Sequence, residues 1–217
     1  VGGDVFQRPG IVPYITAQAN GASTLTAVGR QKFSAASSAN FCISGAKFLE
    51  DVSGTWTDRT NGERITAGDG NVWSLANCNG VLVGVNGKSS APLDAILHWS
   101  ASGNLTSGGL TGQRVTWATW ATWWDGRVWL GNNSNGVGYT NFTSQTSITT
   151  TVTTDWFNIA EPMTGQSAFG DQALALHGEN TIQLLVPTNN ASIPYRRIGR
   201  SRKGTVAGRS IVTVAAP

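Results

Sequence analysis

Asn79-Gly80-Val81-Leu82-Val83-Gly84-Val85-Asn86-Gly87 is followed, after a loop, by Ile96-Leu97-His98-Trp99-Ser100-Ala101-Ser102-Gly103-Asn104. Asp125-Gly126-Arg127-Val128-Trp129-Leu130-Gly131-Asn132-Asn133 is followed, after a shorter loop, by Val137-Gly138-Tyr139-Thr140-Asn141-Phe142-Thr143-Ser144-Gln145. The two copies stand 46 residues apart, from Asn79 to Asp125. Each is a tight turn, an apolar strand, a polar loop and a second strand carrying aromatics. A period of about 40 to 50 residues built from short strands is the signature of a β-propeller blade. A single blade cannot bury its own faces, so the repeat implies stacking on neighbours.

The rest of the composition agrees with an all-β chain. Only 12% of the 217 residues are charged, and 27 are Gly. Glycine supplies the positive-φ positions that hairpins need. At about 45 residues per blade the chain holds four to five blades of short antiparallel strands. The propeller is then either incomplete or part of a larger ring assembly. The chain begins at Val1 and has its single methionine at Met163, as an excerpt or a processed chain would. No stretch approaches the ~18 apolar residues of a membrane helix, so no membrane partner is expected.

Working outward, residues 1–31 read as an N-terminal arm with a first strand, and residues 32–217 as the blades. Lys32–Ser37 (KFSAAS), Asn40–Ser44 (NFCIS) and Ala46–Asp51 (AKFLED) are three strand candidates. Gly54–Asp58 reads as a turn and a short outer strand. Between Arg114 and Asn132 lie Trp117, Trp120, Trp123, Trp124 and Trp129. Three of them have helical spacing, but β-branched residues alternate with them and an Asp-Gly turn follows, which favours strands. Gln172–Pro187 reads as a hairpin with its tip at Gly178-Glu179-Asn180. A last strand pair is expected from Tyr195–Ile198 and Ser210–Val214.

Little in the chain has the spacing of a catalytic or metal site. The two histidines, His98 and His177, sit in no HExxH pattern, and Cys42 and Cys78 form no CxxC pair. The thiols read as buried and free, with a disulfide between them left open. No GxSxG elbow is present. Asp51, Asp58, Asp69 and Asp125 would be the carboxylates for glycoside chemistry, but turn and cap roles account for them. The expectation is a non-enzyme without metal or cofactor.

Two features point to binding. Residues 1–195 carry 9 basic and 12 acidic side chains, whereas residues 196–217 carry six basic ones and no acid. The basic segment at 196–209 comprises Arg196, Arg197, Arg200, Arg202, Lys203 and Arg209, and suits an acidic partner or nucleic acid. Trp56, Trp99, Trp129 and Trp156 are nearly blade-spaced. Exposed, they would stack on sugar rings as in a glycan-binding propeller lectin; buried, they would fill the wedges between blades.

Arg8-Pro9-Gly10, the run Trp123–Asn132 followed by Val137–Ser144, Asp155–Ile159, and the closing text Ala173–Pro187 and Arg196–Val214 carry a family likeness. Together they resemble the propeller domains of short-tailed phage tail nozzle and packaged-DNA stabilisation (head–tail) proteins. The resemblance covers about residues 5–214 and implies a structural virion protein of the tail. It implies a homo-oligomeric, hexameric ring around the DNA exit channel that docks other tail or connector proteins. Nonspecific contact with packaged double-stranded DNA is implied for the basic segment. The alternative reading is the propeller lectin.

Overall fold

The computed structural model describes residues 19, 21, 23–66, 73–87, 94, 96–100, 103–107, 118–132, 136–139, 157–158, 161–188, 195–201 and 204. They form sixteen strands and no helix. Blade 1 holds β1 Leu25–Lys32, β2 Ser38–Ser44, β3 Lys47–Val52 and β4 Thr55–Asp58. Blade 2 holds β5 Ser74–Cys78, β6 Val81–Val85, β7 Leu97–Ser100 and β8 Thr106–Ser107. Blade 3 holds β9 Trp120–Trp124, β10 Arg127–Gly131, β11 Gly136–Tyr139 and β12 Phe157–Asn158. Blade 4 holds β13 Met163–Phe169, β14 Ala173–Gly178, β15 Ile182–Pro187 and β16 Tyr195–Ser201.

Each sheet is an antiparallel meander whose spatial order is its chain order. Consecutive sheets meet face to face, and β5, β9 and β13 stand side by side as first strands of their blades. This is the architecture of a β-propeller, with four blades among the described residues.

Alternation explains why the sheets stack. In β6, Val81, Val83 and Val85 point into one apolar layer with Ala76, Ala118, Ala121, Val128 and Leu130. Leu82, between them, points to the opposite layer with Phe41, Phe48, Leu97 and Trp99. In β10, Val128 and Leu130 join blade 2, whereas Trp129 joins Leu174, Leu176, Leu185 and Tyr195 of blade 4. A strand covered on both faces has no polar side, which is why these segments read as nearly continuous apolar runs.

The tryptophan-rich stretch obeys the same rule. Trp120 and Trp124 of β9 face blade 4, and Trp123 faces blade 2. Strand spacing sends them to two layers, where a helix would have gathered them on one.

The repeat seen in the sequence coincides with the blades. Val81 and Arg127 open the second strands of blades 2 and 3, and Ala173 opens that of blade 4 at the same 46-residue step. Asn79-Gly80 and Asp125-Gly126 have φ of 49° and 91°, and of 50° and 69°. Two consecutive positive φ values define the type I′ hairpin, whose twist matches that of the flanking strands.

Two expectations need correction. Phe33–Ser37, expected inside a strand, is the turn between β1 and β2, with the Phe33 and Ser34 amides donating to the Ser37 carbonyl at 2.9 and 3.2 Å. Phe33 packs against Trp99, but Ser34–Ser37 are small and exposed, and the strand lies upstream at Leu25–Lys32. Strand β13 was not foreseen, because Met-Thr-Gly-Gln-Ser-Ala-Phe lacks the apolar alternation of a strand. The expected strand Ser210–Val214 lies outside the described residues.

The two hairpin glycines differ in surroundings. A Cβ on Gly80 would run into the Phe33 carbonyl oxygen of blade 1, whereas one on Gly126 meets nothing within 4 Å. Both substitutions strain a left-handed φ, at about 1 kcal/mol. Gly80→Ala adds an overpacking cost of about 1–3 kcal/mol. Urea unfolding is therefore expected to rank Gly80→Ala clearly below Gly126→Ala, and equal losses would contradict the close approach of blades 1 and 2.

Candidate functional site

The basic segment begins on β16, the outermost strand of blade 4. Arg196 and Arg197 are exposed there, beside the exposed Ile198. Arg200 lies on the same strand, opposite Gln183. Arg202, Lys203 and Arg209 lie outside the described residues. Cationic side chains on an edge strand discourage pairing with a foreign strand and leave their charge open to an anionic partner.

The start of that edge is pinned by Tyr195, which the sequence reading did not single out. Its hydroxyl donates to Asp125 Oδ2 at 2.7 Å, linking β16 to the Asp-Gly turn of blade 3. Its ring meets Trp129 edge-on at 4.7 Å between centroids, Tyr139 at 5.0 Å and Trp124 at 5.6 Å. The Arg127 guanidinium stands over the Tyr139 ring, 4.9 Å from its centroid. Burial, reinforced by the Asp125 carboxylate, pushes the Tyr195 phenol well above its ordinary pKa. Asp125 was legible as a turn residue, but nothing local in the sequence marks a partner 70 residues away.

The aromatic expectation is corrected for two of its four residues. Trp99 and Trp129 are both 0% exposed, so neither offers a ring face to a ligand. Trp99 sits among Phe33, Phe41 and Phe48, and its indole N–H donates to the Gly103 carbonyl at 2.8 Å. The Trp129 indole N–H donates to the Trp124 carbonyl at 3.1 Å. These rings fill the space between blades because a face-to-face stack of twisted sheets needs bulk there. Trp56 is half-buried on β4, and Trp156 lies outside the described residues.

The acidic candidates are held in structural bonds. Asp51 Oδ1 accepts from the Gly54 amide at 2.8 Å, and Asp58 Oδ1 from the Thr60 amide at 2.9 Å. Asp69 lies outside the described residues. The buried Asp94 was not foreseen. It accepts from the Thr66 amide at 2.8 Å and Asn86 Nδ2 at 2.7 Å, with Arg64 Nε at 3.4 Å. It thereby ties the segment after β4 to blade 2. Buried Glu50 accepts from Arg59 Nε at 2.7 Å. Among the described residues no group of His, Cys, Asp and Glu is arranged to hold a metal ion.

Cys42 and Cys78 are free and buried. Burial pushes the Cys42 thiol up to about 11 and Cys78 further, so both stay protonated and unreactive near neutrality. The histidines lie in different blades. His98 Nδ1 is 3.2 Å from Thr106 Oγ1, and His177 Nε2 is 3.0 Å from Ser167 Oγ.

No family model matches the chain, and no curated protein does. Among solved structures it is similar to YCF48 from Cyanidioschyzon merolae, at 11% identity and a TM-score of 0.49. That likeness covers 85% of this chain and 62% of the other.

Burial holds both histidines below the ordinary imidazole pKa, which is about 6.5 in an unfolded chain. Between those values the unfolded chain binds more protons than the folded one. Their stabilising effect is complete above about pH 6.5 and is lost as pH falls through the lowered folded values. Carboxylates titrate lower still, near about pH 4. The urea midpoint is expected to fall between about pH 7.5 and about pH 5, with His98→Gln/His177→Gln flattening that fall. A variant that loses as much as the parent would contradict the assignment.

Replacing Tyr195 by Phe removes only the bond to Asp125. The expected loss is about 1–2 kcal/mol, with hydrogen exchange accelerated in β16 more than in β14. Uniform acceleration across blade 4 would argue against Tyr195 as the anchor of the edge.

Proposed function

We propose that this chain is a structural component of a short-tailed phage tail or head–tail connector. It assembles as a homo-oligomeric ring at the DNA exit channel and docks neighbouring tail proteins through the outer edge of blade 4. The reading rests on one observation above the others: a terminal edge strand carries exposed arginines and is braced from behind by Tyr195 and Asp125. Exposed cations on a strand whose first residue is tied to the neighbouring blade suit phosphate backbones and acidic protein surfaces alike. The family likeness of the sequence motifs supplies the tail. The work of such a part is mechanical, so buried histidines and carboxylates committed to turns fit it.

The test replaces Arg196, Arg197, Arg200, Arg202 and Lys203 together by Gln. Circular dichroism and the thermal midpoint are expected to change little, since such surface substitutions fall within about 0.5 kcal/mol. Incorporation into particles and genome retention are expected to fall, most steeply at raised salt. Particles that assemble and hold their DNA as before would reject a partner-facing role. Uniform rings under the electron microscope support the assembly, and a strictly monomeric chain at all concentrations opposes it.

A further inference from the structure

We propose that the β1–β2 hairpin of blade 1 is an oxyanion site that takes a phosphate group. It is independent of the edge of blade 4 and lies three blades away in chain order. Strand alternation puts Val28, Arg30 and Lys32 on one face of β1, while Gly29 and Gln31 take the other. Gln31 is buried and donates to Asn77 Oδ1 of blade 2 at 3.1 Å, so the Arg30 and Lys32 face is the one turned away from that blade. Val28 on it is 69% exposed.

The two cations and the turn after β1 bound a concavity of about 510 Å³, lined by Arg30, Lys32 and the segment from Ser34 to Ser38. Ser34 Oγ accepts from the Ala36 amide at 3.3 Å, which shapes the loop. The hollow therefore combines a guanidinium, an ammonium and serine hydroxyls, all able to donate to an oxyanion.

The bonding of Arg30 points to the missing partner. Its Nε and Nη2 both donate to Ser38 Oγ, at 3.1 and 2.8 Å. That edge of the guanidinium is the fork that pairs with two oxygens of a carboxylate or phosphate. Here a single neutral hydroxyl stands where two anionic oxygens fit.

The ion pairs of the blade are made elsewhere: Lys47 with Asp58, and Arg59 with Glu50. Among the described residues neither Arg30 nor Lys32 joins an ion pair. The acid nearest in the sheet is Asp51, two strands across from Arg30 behind Asn40, or roughly 10 Å by strand spacing. Asp51 already accepts from Asn40 Nδ2 at 3.2 Å and from the Gly54 amide. Two like charges two residues apart thus repel one another over donors that no acid among the described residues neutralises. A phosphate oxyanion relieves that repulsion and fills the fork.

The experiment is a titration of the isotopically labelled chain with inorganic phosphate, read from backbone amide shifts, with chloride at matched ionic strength as control. The expected result is saturable movement of the Ser34–Ser38 amides, competed by sulfate and absent with chloride. Arg30→Gln/Lys32→Gln is expected to weaken it at least about tenfold. Both side chains are exposed, and the parent titration stands whether or not the variant folds. A short DNA duplex forms a second arm. If it moves the same amides in competition with phosphate, the group comes from a nucleic-acid backbone; if only the free ion does, from a small phosphorylated molecule. Shifts that fail to saturate, that chloride reproduces, or that survive in the double variant would overturn the site.

Discussion

Every blade depends on the burial of its second strand from both sides. Val81, Val83 and Val85 of β6 are covered by blade 3, and Leu82 between them is covered by blade 1. In β10 the division is the same, with Val128 and Leu130 on one side and Trp129 on the other. Removing either neighbour would expose a full row of large side chains. Each buried aliphatic or aromatic side chain is worth about 1.5–3 kcal/mol when taken out of water. Stability is therefore a property of interfaces between blades.

Polar contacts set how closely the stacked sheets approach. Gln31 reaches Asn77, the Ala121 amide donates to Ser74 Oγ, Gln166 donates to the Trp129 carbonyl, and Tyr195 donates to Asp125. Each joins consecutive blades, and most involve the first strands or the turns that follow them. Glycines sit where the blades come nearest. A Cβ on Gly131 would run into the end of Met163, and one on Gly87 into Thr119. Apolar layers alone would allow the sheets to slide, whereas these directional bonds fix one arrangement.

Many polar groups among the described residues are likewise committed to structural contacts. Acids close turns or clamp segments, the histidines are buried in separate blades, and the thiols are held protonated. Exposed cationic side chains stand on the first and the last of the described blades. Arg30 and Lys32 stand on the outer face of blade 1, and Arg196 and Arg197 stand on the edge of blade 4. Phe169, 69% exposed on β13, adds an apolar element to blade 4. The proposed docking edge and the proposed oxyanion site both lie on these two blades.

Sequence alone determined the repeat, its 46-residue step, the Asn-Gly and Asp-Gly hairpins and the apolar second strands. These are local: a turn needs positive φ at two residues, and a strand buried on both faces needs an unbroken apolar run. Tertiary structure alone decided the rest. Strand β13 has little apolar pattern and is recruited by the blades around it, while Ser34–Ser37 are small residues that serve a turn as readily as a strand. Whether a tryptophan is a contact surface or a wedge depends on which sheet faces it, and Trp99 and Trp129 became wedges. The bond from Tyr195 to Asp125 was equally hidden. It arises from proximity through the folded chain, which no spacing along the sequence records.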